Sequence, residues 1–539
     1  MPEPWATCRF DHYSRAVALL TRGFAEARSN ELALADDVAE MTWAELDIAV
    51  NRALNALADL DIGAGDTVAI VAGNCNEWFI LSLACGHSGI TFVPVNWHLV
   101  APELAYIFGD SDAKAVFVGH HYADVVHTAL ADERCSNIEH AVVFRNPETN
   151  ASDDRFKDFN ALLTAAEVSE PEKQLMGGPM FYTSGTTGHP KGVRGSLTSV
   201  GDDVGAEIWQ LVGAGFASLM TVPGVTVLCG PIYHSAQWAF SWLPMIAGSA
   251  VVMQHKYDSA GVLDLIDHHQ ATNIHLVPTQ MKRLIDLPDA VKSSFDGSSL
   301  DIVLHGAAPC PPVVKQSLIE WWGPKISEYY GSTEGSVVSM VDSEQWLAKG
   351  GSVGPAMPNI EIMIIGDDGQ PCATNESGTI YFRNQMGKDF EYHKAPEKTA
   401  EVHLEPGVAT SGDVGYLDED GFLWLSDRKI DMIISGGVNI YPAEIEGVIG
   451  GHDDVADVTV IGVPNDEYGE EVKAVVVANE GVEAEALGDT LRAFCREQLA
   501  SYKVPRSIDF VEALPRTGTG KVQKRKLREE YWAGHERAM

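Results

Sequence analysis

Short apolar runs separated by helical patterns constrain the fold of this chain more than any other feature. The runs at 66–72, 91–95, 115–118 and 141–144 consist mainly of Val, Ala, Ile and Phe. In the segment 41–60, by contrast, apolar residues recur three and four positions apart, as in an amphipathic helix. Strands that alternate with helices are typical of parallel sheets built from βα units. We therefore predict an α/β fold.

The pattern continues further along the chain and then changes. Buried-strand patterns recur at 249–253, 274–277 and 302–304. After them, short β segments alternate with Gly, Asn and Asp turns, and Asp420-Gly421 is a typical hairpin turn. These features predict a β-rich subdomain that follows the α/β sheets.

A chain of 539 residues is too long for one compact core, so we expect several domains. The C-terminal part contains two short strand patterns, 458–461 and 474–477, which suit a small α+β domain. The basic tail 524–528 is expected to be a disordered terminus. The predicted boundaries are a large N-terminal domain at 1–428, a hinge at 429–431 and a small C-terminal domain at 432–539.

The formal net charge of −38 argues against nucleic acid or an anionic membrane as the main partner. The 8 cysteines form no C-x-x-C pair or Cys/His cluster, which suits a reducing, cytoplasmic location. The uncharged stretch 211–253 is interrupted by three prolines. We interpret it as buried core and expect no transmembrane segment.

The stretch 182–192, YTSGTTGHPKG, combines glycines, hydroxyl side chains and a lysine. Glycines let backbone N–H groups approach an anion, and Lys191 adds a positive charge, so the stretch is suited to a polyphosphate. It differs from the Walker A loop because Lys191 is followed by Gly192 instead of Ser or Thr. By composition alone, an ordinary Ser/Thr/Gly surface loop is the alternative.

Three later motifs carry groups that could act on a nucleotide. The motif at 328–334, EYYGSTE, offers a carboxylate that suits a magnesium ion and aromatic rings that suit adenine. Asp413 in the motif TSGD could bind a ribose diol, although a turn-capping role is equally open. Lys521 ends the motif PRTGTGK and could reach a transferring carboxylate or phosphate.

These motifs, in this order and spacing, resemble those of the adenylate-forming superfamily, and in particular its acyl-CoA synthetase branch. The resemblance runs from residue 42 to the loop that ends at Lys521. It implies two half-reactions. A carboxylate attacks Mg·ATP to give an acyl-adenylate and pyrophosphate, and the CoA thiol then attacks the acyl carbon and releases AMP.

The resemblance also implies roles for individual residues. The catalytic group comprises Lys521, Thr333, Glu334 and His234, and Glu334 is the predicted magnesium ligand. ATP or AMP would be bound by Thr183, Ser184, Gly185, Thr186, Thr187, Lys191, Gly306, Ala307, Ala308, Glu328, Tyr329, Tyr330, Gly331, Ser332, Thr333, Asp413, Arg428 and Lys521. The acyl pocket would contain His234, Trp238, Gly306, Gly331 and Ser332. CoA would be bound by Lys256, Ser435, Gly436 and Gly437.

Several points stay open at this stage. Ile430 stands at the hinge where the family usually has Asp or Lys, which puts a hinge-charge contact with the nucleotide in doubt. Small residues at 306–308 and 331 suggest a roomy pocket, so we expect a medium- or long-chain fatty acid, with an aromatic or alicyclic acid as the alternative. Another acceptor than CoA, a catalytically inactive acidic scaffold and a homodimeric assembly are also left open.

Overall fold

A computed structural model describes residues 20–144, 155–170, 175–183, 190–195, 215, 219–307, 310–428, 433–435, 438–440, 442–465, 469–499, 501–517 and 520–533. Its helices are α1 (Arg22–Ala27), α2 (Trp43–Asp59), α3 (Asn76–Ser88), α4 (Ala101–Asp110), α5 (Ala123–Ala129), α6 (Phe159–Ala165), α7 (Ser235–Ile246), α8 (Ser259–His269), α9 (Pro278–Ile285), α10 (Asp289–Ser294), α11 (Pro312–Trp322), α12 (Ser343–Ala348), α13 (Pro396–Val402), α14 (Pro442–Gly450), α15 (Ala484–Gln498) and α16 (Lys524–Tyr531).

The strands of the first half are β1 (Leu32–Ala35), β2 (Glu40–Thr42), β3 (Thr67–Val71), β4 (Thr91–Pro94), β5 (Ala113–Val118), β6 (His140–Val143), β7 (Lys157–Asp158), β8 (Gly178–Pro179), β9 (Phe181–Thr183), β10 (Lys191–Gly195), β11 (Val225–Leu228), β12 (Ala250–Met253) and β13 (Asn273–Leu276). Those of the second half are β14 (Ile302–His305), β15 (Ile326–Ser332), β16 (Ser336–Val341), β17 (Gly354–Pro355), β18 (Ile360–Ile365), β19 (Gly378–Asn384), β20 (Phe390–Tyr392), β21 (His403–Glu405), β22 (Val408–Ala409), β23 (Asp413–Leu417), β24 (Phe422–Arg428), β25 (Ile433–Ser435), β26 (Val438–Ile440), β27 (Val455–Asn465), β28 (Gly469–Ala478) and β29 (Ser507–Phe510).

The chain divides into two compact units, and each is described by itself. The first unit comprises residues 1–258 and 265–273, and the second comprises residues 259–264 and 274–539. Among the described residues, no helix has both the length and the apolar character needed to cross a lipid bilayer.

The first unit contains a six-stranded sheet with the order β7-β6-β5-β3-β4-β8, in which neighbouring strands run parallel. Val68 and Ile70 of β3 belong to an apolar cluster with α2 and α3, whereas Ala69 and Val71 belong to a second cluster with α4 and α5. Burial on both faces explains why the strands are continuously apolar in sequence. The predicted parallel sheet is confirmed here.

The second unit contains the parallel pair β14–β15 and the antiparallel neighbour β16. It also contains an antiparallel sheet in which β18, β22 and β23 pair with β19, and β24 joins β23 to β17. β23 and β24 form the hairpin that Asp420-Gly421 predicted. The β-rich subdomain is therefore present.

The C-terminal part of the second unit is a sheet of β26, β25, β28 and β27, with β29 parallel to β28. β27 and β28 span 11 and 10 residues, so they are longer than the short strands that the sequence predicted.

The expectation of a disordered basic tail was wrong. Residues Lys524–Tyr531 form α16, where Leu527 is buried in a cluster with Ile461 and Val463 of β27. Lys524 Nζ also lies 3.1 Å from Glu446 Oε1 of α14. Tyr531 packs against the same cluster, so two side chains four positions apart dock a segment whose other residues are charged.

Candidate active site

β15 carries most of the motif EYYGSTE, and its alternating side chains contact different parts of the second unit. Oε2 of Glu328 accepts a hydrogen bond of 2.8 Å from Lys315 on α11. The Tyr329 hydroxyl lies 3.0 Å from Nε2 of His275 on β13. The Tyr330 hydroxyl donates to Asp413. The strand thus connects the predicted nucleotide motif to three other segments of the chain.

Gly306 and Gly331 are required by contacts within the protein. A Cβ atom on Gly306 would lie 2.7 Å from the Tyr329 ring, and one on Gly331 would overlap the backbone carbonyl oxygen of Ser336. On the Cβ side of both glycines the chain itself fills the space, so the place of Gly306 and Gly331 in the acyl pocket stays a prediction. Ala307 has a positive φ of 67°, which forms a tight turn after β14. Ala308 lies outside the described residues.

Asp413, at the start of β23, is held by two hydroxyl groups. Its Oδ2 atom accepts hydrogen bonds of 2.8 Å from Tyr330 and 2.8 Å from Ser411, and the two hydroxyl oxygens are 3.3 Å apart. The backbone of Arg428 on β24 pairs directly with that of Asp413. The structure thus brings two of the predicted nucleotide-binding positions together, and it adds Ser411, which sequence reasoning had missed.

Glu334 lies in the turn that follows β15, and it is partly buried. Its Oε1 atom accepts a hydrogen bond of 3.1 Å from the hydroxyl of Tyr392 on β20. The Tyr392 backbone N–H in turn donates to Oγ1 of Thr399 at 2.9 Å. A carboxylate orientated in this way is a suitable hard ligand for Mg²⁺, which proteins usually bind through one or two carboxylates and substrate phosphates. Tyr392 was not predicted, because it is distant from the motif in sequence.

The other two residues of this motif lie beside Glu334. Thr333 is partly buried in the same turn, and Oγ of Ser332 accepts a hydrogen bond of 2.9 Å from the Gly335 backbone N–H. The Ser332 side chain therefore helps to close the turn that presents Glu334.

Lys521 is exposed on a tight turn in which the Thr517 N–H donates to the Lys521 carbonyl at 2.8 Å. The Arg516 guanidinium binds the Gly520 carbonyl and forms an ion pair with Asp457 of β27. A Cβ atom on Gly520 would lie 2.9 Å from Oγ1 of Thr279, so the turn packs against the start of α9. The lysine is thus carried by a braced turn, and Arg516 is a third residue, after Ser411 and Tyr392, that the sequence analysis did not single out.

In the first unit, the residues on either side of the predicted phosphate loop belong to a β-hairpin. Thr183 ends β9, Lys191 begins β10, and the two residues pair directly across the antiparallel strands. The hairpin is anchored to α4 by a 2.6 Å hydrogen bond from the Tyr182 hydroxyl to Asp110. Ser184, Gly185, Thr186 and Thr187 lie outside the described residues.

His234 precedes α7 and is partly exposed, whereas its Nε2 atom is buried and has no hydrogen-bond partner among the described residues. Burial, with a smaller contribution from nearby His98, lowers the pKa of His234 from 6.5 to about 3. The imidazole is therefore neutral at physiological pH.

One aromatic ring lies against this histidine, and others pack against its neighbours in the chain. The Tyr233 ring centroid lies 4.3 Å from that of His234 and 6.3 Å from that of Trp97. Trp238, one turn into α7, is buried and packs against Phe181 with ring centroids 5.6 Å apart. The two predicted pocket residues of this unit thus belong to an aromatic region.

The described residues contain only part of the predicted CoA site. Lys256 is exposed after β12 in the first unit. Ser435 ends β25 in the second unit and pairs with Val438 of β26. Gly436 and Gly437, the hinge at 429–431 and the side chain of Arg428 lie outside the part of the chain that is described.

The chain is similar to known enzymes over most of its length. The AMP-binding enzyme family matches residues 22–387, and the AMP-binding enzyme C-terminal domain matches residues 444–521. A feruloyl-CoA synthase from Amycolatopsis sp is 33% identical over 498 residues, which cover 91% of this chain and 94% of that protein. A long-chain-fatty-acid–CoA ligase from Mycobacterium tuberculosis is 32% identical over 502 residues, which cover 92% of this chain and 93% of that ligase.

Among solved structures, the anthranilate CoA ligase AuaEII in complex with anthranoyl-AMP matches with a TM-score of 0.84. The match covers 95% of this chain and 96% of that chain at 24% identity, so it concerns the fold alone. It confirms the predicted fold class, a large N-terminal α/β part with a smaller C-terminal part. Together with the family matches, these similarities identify the chain as a member of the AMP-binding enzyme family and an AMP-forming acyl-CoA synthetase, which is an acid–thiol ligase.

Proposed function

We propose that this ligase activates a ring-containing carboxylic acid, either aromatic or alicyclic, and transfers it to CoA. The observation that carries the proposal is the neutral His234, whose buried Nε2 atom has no partner among the described residues and whose ring lies against that of Tyr233. A neutral imidazole can orient a carboxylate through one hydrogen bond without forming a buried ion pair. The surrounding rings favour flat or cyclic groups through edge-to-face and offset contacts.

The two half-reactions assign distinct tasks to the residues. In the first, an acid oxygen attacks the α-phosphorus of ATP and pyrophosphate leaves. In the second, the CoA thiol attacks the acyl carbon, the thiol proton is lost, and AMP leaves. We assign the phosphates to Lys191 with the 184–187 loop, the ribose to Asp413, and the bridge between the acid and the α-phosphate to Lys521.

Mg²⁺, when bound, would neutralise phosphate charge, and Glu334 is the residue that we propose as its protein ligand. Tyr392 would fix the carboxylate orientation through its hydrogen bond to Oε1. Most of the acceleration would then come from positioning and from charge neutralisation at the α-phosphate.

The relatives support two kinds of acid. The similarity to a feruloyl-CoA synthase favours an aromatic substrate, in agreement with the rings beside His234. The similarity to a long-chain-fatty-acid–CoA ligase keeps a medium- or long-chain fatty acid as the second candidate, which the sequence analysis had favoured. An alkyl chain would also lie against aromatic side chains, but it would gain less from their geometry.

CoA-dependent AMP release tests the proposal directly. The purified protein is assayed with Mg·ATP and CoA against acetate, octanoate, palmitate, benzoate, phenylacetate, cinnamate and ferulate. We expect the highest kcat/KM with a ring acid. An optimum at octanoate or palmitate would establish the second candidate instead. AMP release without consumption of CoA would indicate another acceptor, and no release with any acid would contradict both proposals.

A further inference from the structure

We infer that Tyr233 is a specificity-determining residue whose phenolic hydroxyl binds a polar substituent on the acyl group. The inference rests on the proposed function in one respect, since it takes the acid carboxylate to lie at His234. It deepens that function by naming the kind of acid: one that carries a hydroxyl, methoxy, carbonyl or amino group in addition to its carboxylate.

The Tyr233 hydroxyl is one of several buried polar atoms that have no hydrogen-bond partner among the described residues. The residue is 5% exposed, and its hydroxyl oxygen is buried without a hydrogen-bond partner among the described residues. Buried polar groups are nearly always satisfied, because losing water without gaining a partner costs free energy. Tyr329 and Tyr330, which are also buried, follow this rule through His275 and Asp413.

The backbone around Tyr233 is held firmly, so the hydroxyl is not simply part of a loosely packed loop. Oδ1 of Asn74 accepts a hydrogen bond of 2.9 Å from the Ile232 N–H. Its Nδ2 donates to the carbonyls of Gly230 and Gln254, each at 2.9 Å. Asn74 is itself only 3% exposed. Through Asn74, these three bonds attach the loop to the segments that follow β3 and β12.

The Tyr233 ring is restrained as well. It packs edge-on against Trp97, with an interplanar angle of 84°, and lies next to the His234 ring. A phenylalanine would fill the same apolar volume without the cost of an unsatisfied hydroxyl. The hydroxyl is therefore best explained by a partner that is present only when substrate is bound.

The neighbouring His234 indicates which substrate supplies that partner. The two residues are consecutive, their ring centroids are 4.3 Å apart, and each has one buried polar atom without a partner among the described residues. If the acid carboxylate meets His234, another part of the same molecule can reach Tyr233. Burial raises the pKa of Tyr233, so the phenol stays protonated and can donate as well as accept a hydrogen bond.

The Tyr233→Phe variant tests the inference with matched acids. Benzoate and cinnamate are compared with their 2-, 3- and 4-hydroxy derivatives, and kcat/KM is measured by AMP release at saturating CoA. We expect the wild-type kcat/KM to be higher for one hydroxylated acid than for its parent. In the variant this ratio should fall about tenfold, while kcat/KM for the parent acid stays unchanged. Tyr531→Phe, which removes a hydroxyl bonded to Asp509 at 2.6 Å, is the matched control and should keep the preference.

Stability provides an independent measurement. Removal of an unsatisfied hydroxyl should leave the Tm of Tyr233→Phe equal to or above that of the wild type, whereas Tyr531→Phe should lower it. A clear fall in Tm for Tyr233→Phe would mean that the hydroxyl has a structural partner, and it would overturn the inference.

The kinetic outcomes also separate the inference from the proposed function. An equal loss of kcat/KM with parent and hydroxylated acids would overturn the role of Tyr233, and so would a wild type without any preference. An increase in the KM for CoA alone would also overturn it, because the hydroxyl would then belong to the site of the pantetheine arm. If the wild type uses only fatty acids, the ring-acid proposal fails. Palmitate is then compared with hydroxypalmitates, and an unchanged ratio of their kcat/KM values in the variant would overturn the inference.

Discussion

The ammonium group of Lys315 lies 2.8 Å from Oε2 of Glu328, and the two side chains are 0% and 11% exposed. Nε2 of His305 is 3.7 Å from the same oxygen, and the Trp346 ring centroid is 4.7 Å from Lys315 Nζ. Burial lowers the pKa of Lys315 and raises that of Glu328, while the attraction between the two groups opposes both shifts. The Glu328 carboxylate, one of the predicted ATP- or AMP-binding groups, is therefore engaged in an internal ion pair next to Tyr329.

Breaking this pair should destabilise the protein strongly. Lys315→Met leaves the Glu328 carboxylate buried without its cation, and we expect a loss of about 3–5 kcal/mol in the free energy of unfolding. Adding Glu328→Gln to this variant removes the remaining buried charge and should restore much of the lost free energy of unfolding. Urea denaturation measures both. The control is Lys349→Met, which breaks a more exposed pair with Asp418. If both lysine variants lose similar stability, the buried pair has no special role.

The pH dependence of the enzyme should contain no step from His234. Its pKa is lowered to about 3, mainly by burial, so the imidazole is already neutral well below the usual assay range. Between pH 5 and 9 we therefore expect His234→Gln to lower kcat/KM for the acid without changing the shape of the pH profile. A wild-type step near the ordinary histidine pKa of about 6.5 that disappears in the variant would contradict the buried, neutral state.

Lys521→Ala should separate the two half-reactions. Loss of one group that stabilises charge at the α-phosphate should slow pyrophosphate release by about 100- to 1000-fold. Thioester formation from supplied acyl-AMP and CoA should be nearly unchanged. Lys526→Ala is the control for the loss of a positive charge, because Lys526 is an exposed residue of α16. If both half-reactions slow equally, Lys521 does not act in the first step alone.

Arg516→Ala tests whether the braced turn matters to the same step. Because Arg516 binds the Gly520 carbonyl and Asp457, its loss should leave Lys521 present but less well positioned. We expect a smaller, selective decrease in the rate of pyrophosphate release, with acyl-AMP thioesterification again unchanged. An Arg516→Ala enzyme with wild-type adenylation would show that the turn holds its shape without this bracing.

Glu334→Gln should increase the Mg²⁺ concentration needed for half-maximal pyrophosphate release. Tyr392→Phe should produce a shift of about tenfold in the same direction, because it removes the hydrogen bond that orients the carboxylate. Glu361→Gln, which removes a charge paired with Arg383 on the β-rich sheet, serves as the control. An unchanged magnesium titration in Glu334→Gln would exclude the metal-binding role.

The sequence predicted those parts of the fold whose signals are local. The strands from 67 to 143 could be recognised because burial on both faces makes them continuously apolar. The length of β27 and the helical tail were missed. β27 is stabilised by its pairing with β28, and the helical tail is stabilised by the burial of Leu527. Both contacts join residues that are distant in the chain, so neither produces a pattern in the local sequence.

The same limit applied to the site. The motifs indicated Glu334, Asp413 and Lys521 by residue type and spacing, but not the partners that orient them. Tyr392 lies 58 positions from Glu334, and Ser411 is an unremarkable residue of a turn until its bond to Asp413 is seen. Their roles in catalysis stay predictions that the experiments above can test.

The sequence by itself determined the family and the kind of chemistry, because glycines, hydroxyls, carboxylates and lysines at fixed spacing are local information. Only the tertiary structure decided which groups are satisfied. It places Lys315 against Glu328, fills the space beside Gly306 with the Tyr329 ring, and leaves the Tyr233 hydroxyl without a partner among the described residues. The physical reason is that burial and hydrogen-bond partners arise from long-range packing, which brings together residues that are distant in the chain.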